Sequence, residues 1–327
     1  MVLDWLPKDV KSAVENLDLN LSVKTVPEID ILLSKTVLFR GKKFRPMLCF
    51  LMGQTFGLDL PRLAPYARAA EFVHAATLAH DDVIDESPVR RNRPTLNARS
   101  TNARAVLAGD LLLARVMAEL SCLGNIHIIQ DLAQTVEELV SGEWLQLEAR
   151  KIARVNRHHL ETVSKKKTAS LMSWCCGTPV RIAGYGDDVI EAARQFGEYL
   201  GIAFQMIDDI IDYDAQGEKP FAHDIHEGLV NFVTLEMIEN NPTLIEPLQK
   251  ILGVETHTGV WPWKQSELDH ACDQVRLRAQ AKLEAAEQTL QWLVEKTHGL
   301  GQDSSHLREE SIDALRAVLL YLRERVR

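Results

Sequence analysis

His80-Asp81-Asp82-Val83-Ile84-Asp85 and, much later in the chain, Asp208-Asp209-Ile210-Ile211-Asp212 repeat one Asp-Asp-x-x-Asp arrangement. How a chain tolerates two such clusters decides its architecture. On an α-helix, residues three and four apart share a face, so Asp81 with Asp85 and Asp82 with Asp85 are expected to point together, as are the members of the second set. Both clusters are embedded in aliphatic sequence. Leu78 and Ala79 lead into the first, Ala203, Phe204, Met206 and Ile207 into the second, and Val or Ile fills the gaps. Carboxylates crowded beside apolar surface repel one another and are costly to desolvate unless cations compensate them. Hard oxygen donors favour magnesium, which keeps several waters and completes its shell with substrate phosphates. A single pentapeptide of this kind reads more simply as a solvated helix end, and it is the second copy that argues against that account. A calcium loop is a weaker rival, because the alternating oxygen ligands around a central glycine are missing.

Outward from the clusters, apolar residues recur at helical spacing, as in Leu63, Tyr66, Ala67, Ala70, Phe72 and Val73, or Val275, Leu283, Ala286, Leu290 and Leu293. The expected helices run near 28–38, 43–57, 61–86, 103–121, 127–153, 157–175, 187–214, 230–240, 266–298 and 303–325. Pro46, Pro61, Pro94 and Pro179 fall at or just outside these ends, and Gly41, Gly217 and Gly228 fall in connectors. The fold class is therefore all-α, a single-domain bundle of long, mostly antiparallel helices around a central cavity. The stretches nearest to linkers, 217–228 and 253–263, are too short to separate independent units, so one domain spanning 1–327 is expected.

A formal net charge of -9 over 327 residues argues against a nucleic-acid partner, which calls for an excess or tight clustering of Lys and Arg. Basic residues gather locally instead, at 40–45, 90–93 and 165–167, which suits a small anion better than a polymer. The five cysteines have no metal-ligand spacing, so a reducing, cytoplasmic setting is expected. Residues 1–20 lack a basic start followed by an apolar core, and no uncharged apolar run is long enough to form a transmembrane segment.

With these residues in place, the chain resembles the trans-polyprenyl diphosphate synthase family, the head-to-tail isoprenyl diphosphate synthases. The match runs in order from Arg40 to about Glu236. Gly41-Lys42-Lys43-Phe44-Arg45-Pro46 is similar to the family's upstream diphosphate-binding motif. Glu71-Phe-Val-His74, the first cluster and Arg90-Arg91 resemble its first aspartate-rich region, and Gly201-Ile-Ala-Phe-Gln205 with the second cluster resembles its second. Gly109-Asp110, Gly142-Glu143 and Lys167-Thr168 fill the remaining landmarks.

The resemblance implies the isoprenoid synthase fold and a magnesium-dependent transferase that condenses isopentenyl diphosphate with an allylic diphosphate. Asp81, Asp82, Asp85, Asp208 and Asp212 would hold about three magnesium ions, with Asp209 acting through water or as support. Arg90, Lys167 and Lys219 would add positive charge at the allylic diphosphate, with Thr168 and Gln205 as hydrogen-bond partners. Lys42, Arg45, His74 and Arg91 would bind isopentenyl diphosphate, Arg through its planar fork. Arg325 is a further candidate for closing over that site. A homodimer is the family expectation. Each basic residue also has an ordinary reading as a solvated or ion-paired surface group, and only their ordered co-occurrence raises the functional one.

In such enzymes the product grows along the helix that ends at the first cluster. Here the positions met first, Thr77 and Ala76, are small, and Val73 follows one turn back. A helical turn rises about 5.4 Å, close to one extended isoprene unit, so a product longer than farnesyl, roughly five to eight units, is expected. Met117 or Leu113 is the candidate floor, an assignment no stronger than that of plain core residues.

The chain departs from the family pattern at four places. Asn92 follows the Arg pair in place of glycine, and asparagine tolerates the left-handed backbone. Leu229, Asn231 and Val233 stand where a lysine, a threonine and a proline are usual. Leu229 removes one positive partner of the allylic diphosphate, for which His223 or His226 is a partial substitute. Two rivals remain: a terpene cyclase, which needs no isopentenyl diphosphate site, and a regulatory subunit of a heteromeric prenyltransferase.

Overall fold

The computed structural model describes residues 5–21, 26–38, 41–90, 93–148, 155–214, 221–254, 260–297 and 305–325. In chain order these form α1 (Lys8–Glu15), α2 (Pro27–Lys35), α3 (Phe44–Thr55), α4 (Leu60–Ile84), β1 (Val89–Arg90), β2 (Arg93–Pro94), α5 (Leu96–Arg99), α6 (Asn102–Cys122), α7 (Ile126–Glu148) and α8 (Arg157–Ser164). A π-helical turn (Lys165–Ala169) leads into α9 (Ser170–Ile182), followed by α10 (Asp187–Ile211), α11 (His223–His226), α12 (Phe232–Asn240), a 3-10 turn (Pro242–Leu244), α13 (Ile245–Ile251), α14 (Gln265–Thr297) and α15 (Ser305–Glu324). The all-α expectation holds, and among the described residues the only strands are the antiparallel pair β1–β2.

Local chemistry sets the boundaries. Thr101 caps α6 by accepting from the Arg104 N–H at 3.2 Å, and Asn156 caps α8 through the His159 N–H at 2.9 Å. Pro61 occupies the first turn of α4, where its missing N–H has no intrahelical partner to lose. Three expectations need correction. The helix near 157–175 does not stop before Pro179 but runs through it to Ile182, giving up one backbone hydrogen bond. It also contains the π-turn, which periodicity does not reveal. Helices α1, α5, α11 and α13 lie in stretches for which no helix was expected. Expected helical residues 149–153, 298 and 303–304 lie outside the described residues.

The chain divides into two compact units, each assembled from separate stretches: Met1–Val136, Leu171–Arg194 and Leu290–Ala317 in the first; Glu137–Ser170, Gln195–Thr289 and Val318–Arg327 in the second. In the first, α4 packs on α3 and α6. Ala67, Ala70, Phe72, Val73 and Ala76 of α4 are buried, as are Leu48 and Leu51 of α3 and Leu112 and Val116 of α6. Each fully buried large aliphatic or aromatic side chain stabilises the fold by roughly 1.5–3 kcal/mol relative to exposure. Close approach of α3 and α4 depends on Gly53, where a Cβ would lie 2.2 Å from Leu63 Cδ1. In the second unit, α8 packs against α12, and Ala203, Met206 and Ile207 of α10 are buried, as are Val275, Ala279 and Leu283 of α14. Among the described residues no helix is long and apolar enough to cross a membrane.

Candidate active site

In the first unit, α4 delivers the first cluster at its C-terminal end. Asp81 and Asp82 lie in the last turn, Asp85 is the C-cap, and Glu86 takes a left-handed φ of 51° that stops the helix. The expectation that all three carboxylates share one patch is corrected here. Asp81 and Asp82 are adjacent and so about 100° apart around the axis. Asp82 turns inward, 1% exposed, and its Oδ1 accepts from Arg90 Nε at 2.7 Å. Burial raises its carboxyl above the usual range against the opposing pull of Arg90. Asp81 and Asp85 are half-buried.

The turn that presents Arg90 is itself fastened to Asp82. Ser87 N–H and Asn97 Nδ2 both donate to the Asp82 carbonyl at 3.1 Å, and Thr95 ties back to Ser87 and Pro88. Arg90 thus commits one of its five N–H donors to Asp82. Arg91 and Asn92 lie outside the described residues. His80, just before the cluster, sets Nε2 3.2 Å from the Val106 carbonyl and 3.5 Å from Asp110 Oδ1. Gly109 makes room for the ring, since a Cβ there would sit 2.2 Å from Nε2.

The upstream basic segment belongs to the same unit. A Cβ on Gly41 would lie 3.2 Å from Oε1 of buried Glu71, so the glycine lets the backbone approach that carboxylate. Lys43 adopts φ 46° just before α3, and its Nζ donates to the Val14 carbonyl at 2.9 Å and the Glu15 carbonyl at 3.2 Å; desolvation pulls its ammonium pKa down. That leaves Lys42 exposed and Arg45 half-buried on the first turn of α3. Arg45 and Glu71 both act electrostatically on the Cys175 thiol, which burial pushes up to about 12. His74 is half-buried on α4 one turn after Glu71, and its carbonyl accepts from Thr77 Oγ1 at 2.9 Å. Of the chain-length candidates, Val73 and Ala76 are fully buried, whereas Thr77 and Met117 are half-buried.

In the second unit the π-turn carries Lys167 and Thr168. Two glycines fit against it: a Cβ at Gly142 would lie 2.8 Å from Lys167 N, and one at Gly201 only 2.4 Å from Ala169 Cα. Lys167 Nζ meets Glu143 Oε2 at 2.5 Å. Thr168 Oγ1 donates to Gln205 Oε1 at 2.9 Å, and Gln205 Nε2 donates to Asp209 Oδ1 at 2.8 Å. The other Asp209 oxygen accepts from the Phe232 N–H at 2.9 Å. Asp209 is therefore buried with both oxygens engaged by the protein. Burial first, and then the nearby Asp224 carboxylate, raise its carboxyl well above the usual range.

Its neighbours in the second cluster are arranged differently. Asp208 Oδ1 pairs with Arg325 Nη1 at 2.8 Å, and the Arg325 guanidinium lies 5.4 Å from the Phe204 ring centroid. Asp212 Oδ2 accepts from the Asp224 N–H at 3.1 Å, while its carbonyl accepts from the N–H of Ala222, a residue held at φ 53°. Lys219 lies outside the described residues. The two histidines expected as partial substitutes for the lysine missing at Leu229 each meet a protein partner. His226 Nδ1 donates to the Val254 carbonyl at 2.8 Å with its ring 5.8 Å from Trp261, and His223 sits 3.9 Å from Glu227.

Among the described residues no three His, Cys, Asp or Glu side chains converge closely enough to hold an ion by themselves. Magnesium is usually bound through one or two carboxylates plus substrate phosphates rather than by an all-protein cage. The donor set, hard carboxylates with their middle members braced by protein groups, fits such an ion. Sequence reasoning missed Glu71, Asp224, Asn231 and Thr234. Glu71 was visible within a motif but had no role, and the other three work through hydrogen bonds between residues whose spacing carries no signal.

The fold has known counterparts. A decaprenyl diphosphate synthase from Rhodobacter capsulatus aligns with a TM-score of 0.79 at 27% identity, covering 96% of this chain and 97% of that one. A polyprenyl synthase from Caulobacter crescentus CB15, complexed with calcium and isoprenyl diphosphate, aligns with a TM-score of 0.72 at 24% identity, covering 97% of this chain and 94% of that one. The architecture is the all-α isoprenoid synthase fold. The polyprenyl synthetase family model matches residues 27–261, and the chain belongs to that family. Mouse all trans-polyprenyl-diphosphate synthase PDSS1 is 34% identical over 253 residues, 74% of this chain and 61% of that protein. The chain spans about six-tenths of the length of the curated relatives it matches.

Proposed function

We propose that the chain is a trans-prenyltransferase that condenses isopentenyl diphosphate with an allylic diphosphate and releases pyrophosphate, giving a polyprenyl diphosphate longer than farnesyl. The observation that carries this reading is the shared design of the two clusters. In each, the middle aspartate is buried and braced by the protein, Asp82 by Arg90 and Asp209 by Gln205 and the Phe232 N–H. Asp81 and Asp85, Asp208 and Asp212 are the groups assigned to divalent ions and, through them, to the allylic diphosphate, with Asp208 exchanging its Arg325 partner for an ion. Magnesium is the ion of choice, and the family resemblance implies about three per site.

When bound, these ions supply neutralisation of the departing diphosphate's charge. Lys167, held on the π-turn beside Glu143, and Arg90 add fixed positive charge, and Thr168 and Gln205 order the second cluster through Asp209. Lys42, Arg45, His74 and Arg91 hold isopentenyl diphosphate by its own phosphates. The allylic C–O bond breaks with its electron pair leaving on diphosphate, the isopentenyl double bond forms the new C–C bond, and a proton passes to the departing diphosphate. The protein aligns the partners and excludes water, which would trap the cation. Thr77 on α4 and Met117 on α6 offer half-buried surface for control of product length.

The stripe Leu107, Leu111, Ala114 and Ala118 on α6, with Leu107 63% exposed, supports a homodimer. All five cysteines are free thiols, which supports a reducing, cytoplasmic setting. A non-catalytic subunit is the second reading, and the half-buried Leu229 side chain favours it. The deciding experiment incubates the purified chain with isopentenyl diphosphate, farnesyl diphosphate and magnesium and sizes the products. Chains longer than the starter establish the reading, and farnesyl diphosphate recovered unchanged refutes it.

A further inference from the structure

We propose that Asn231 is a positioning residue of the second aspartate cluster, setting Asp212 through Asp224 and Asp209 through the first peptide of α12. The proposal rests on the reading of Asp208 and Asp212 as the groups that hold the cation-bound diphosphate.

Asn231 is 5% exposed and is the N-cap of α12. Its Oδ1 accepts from the Thr234 N–H at 2.9 Å and from Thr234 Oγ1 at 3.0 Å. A backbone N–H can only donate, so the amide orientation is fixed by chemistry and Nδ2 points the other way. There it donates to Asp224 Oδ2 at 2.9 Å. The Thr234 hydroxyl has spent its one proton on Asn231, so Tyr213 is the donor in the 2.6 Å contact between the two hydroxyls. Tyr213 directly follows Asp212, and the chain of bonds closes on the cluster it began from.

Two outputs leave Asn231. The Asp224 backbone N–H donates to Asp212 Oδ2 at 3.1 Å, while the neighbouring peptide N–H, that of Phe232, donates to Asp209 Oδ2 at 2.9 Å. Asn231 Nδ2 thus gives the Asp224 carboxylate a neutral donor beside the peptide N–H that holds Asp209. Capping a helix requires only an acceptor, which serine or aspartate supplies as well as asparagine. The donor to Asp224 is the part that capping does not explain. Groups one step removed from a metal ligand fix its orientation, and their loss typically weakens metal binding about 10–100-fold.

The test uses the full chain and two variants that keep the cap, Asn231→Ser, which loses the amide donor, and Asn231→Asp, which replaces it with a repelling oxygen. Inorganic pyrophosphate is titrated calorimetrically in saturating manganese, isopentenyl diphosphate is titrated without metal, and thermal melting is followed in parallel. We expect Asn231→Asp to weaken manganese-dependent pyrophosphate binding about ten-fold or more. Asn231→Ser should weaken it less, with isopentenyl diphosphate binding retained in both. Pyrophosphate affinity unchanged in Asn231→Asp, or isopentenyl diphosphate affinity falling in the same proportion, overturns the proposal. Should Asn231→Asp fail to fold, an Asn231→Ser protein that binds pyrophosphate as the wild type does overturns it alone. Wild-type protein that binds no manganese pyrophosphate removes the functional reading and this inference together, a result distinct from variants that match a binding wild type.

Discussion

Arg325 and Asp208 form a 2.8 Å ion pair that places a cation from the C-terminal end of the described chain on the second aspartate cluster. A guanidinium and a divalent ion compete for the same carboxylate. The sequence suggested Arg325 for closing over the isopentenyl diphosphate site, and its partner in the structure is Asp208 of the second cluster. Replacing Arg325 with Gln removes the competitor. Because the pair is partly solvent-exposed it is worth no more than about 1 kcal/mol. Manganese binding to the substrate-free Arg325→Gln protein should therefore tighten about two- to five-fold, measured by electron paramagnetic resonance.

Gly201 tests the placement of the π-turn. An added methyl would lie 2.4 Å from Ala169 Cα and 2.6 Å from its Cβ, both on the turn that carries Lys167 and Thr168. Neither atom is the end of a flexible side chain, so the turn itself must shift. Gly201→Ala should cost about 1–3 kcal/mol of stability in urea unfolding despite alanine's better helix propensity. It should also reduce turnover more than the stability loss explains, since the Thr168–Gln205–Asp209 relay moves with the turn.

The buried thiols predict the alkaline limit of stability. Cys175 is raised from 9.0 to about 12 by burial, and Cys49 and Cys176 are pushed upward for the same reason. The folded protein holds these protons more tightly than the unfolded chain does. Their stabilisation is therefore complete below the ordinary thiol value and is lost as pH rises through the elevated one, at about 1.4 kcal/mol per pH unit for each thiol in that window. Cys175→Ala should start slightly less stable at pH 8 yet lose less between pH 9 and 11, in urea midpoints followed by circular dichroism.

Product length tests the role of α4. Thr77 keeps some exposed surface, whereas Ala76 and Val73 are sealed in the packing. Thr77→Phe should shorten the product by at least one isoprene unit, read by mass spectrometry, while leaving the melting temperature nearly unchanged. Ala76→Phe must displace packed neighbours and should cost about 1–3 kcal/mol as well.

The sequence made the helices and the two clusters legible because both rest on spacing, and a period of 3.6 is visible without coordinates. What it concealed depends on side chains that act at right angles to that period. Asp82 and Asp81 are equivalent as letters, yet only Asp82 meets Arg90, because a two-residue strand after a left-handed Glu86 returns the chain to it. Pro179 looked like an ending because proline usually is one, and the helix absorbs it. Helix α1 buries only Val10 and Val14, too few for a periodic pattern to stand out. The π-turn changes neither composition nor period enough to announce itself. Asn231 looked like a defect where threonine was expected, and its two-sided amide is legible only once Thr234 and Asp224 are seen on either side of it.

The central proposal is that both clusters are needed to bind the cation-bound diphosphate. It is tested most directly by titrating inorganic pyrophosphate with saturating magnesium into wild type, Asp81→Asn and Asp208→Asn. The account predicts a single binding event per chain that either substitution weakens by about ten-fold or more. Two independent events, each lost in only one variant, would contradict it.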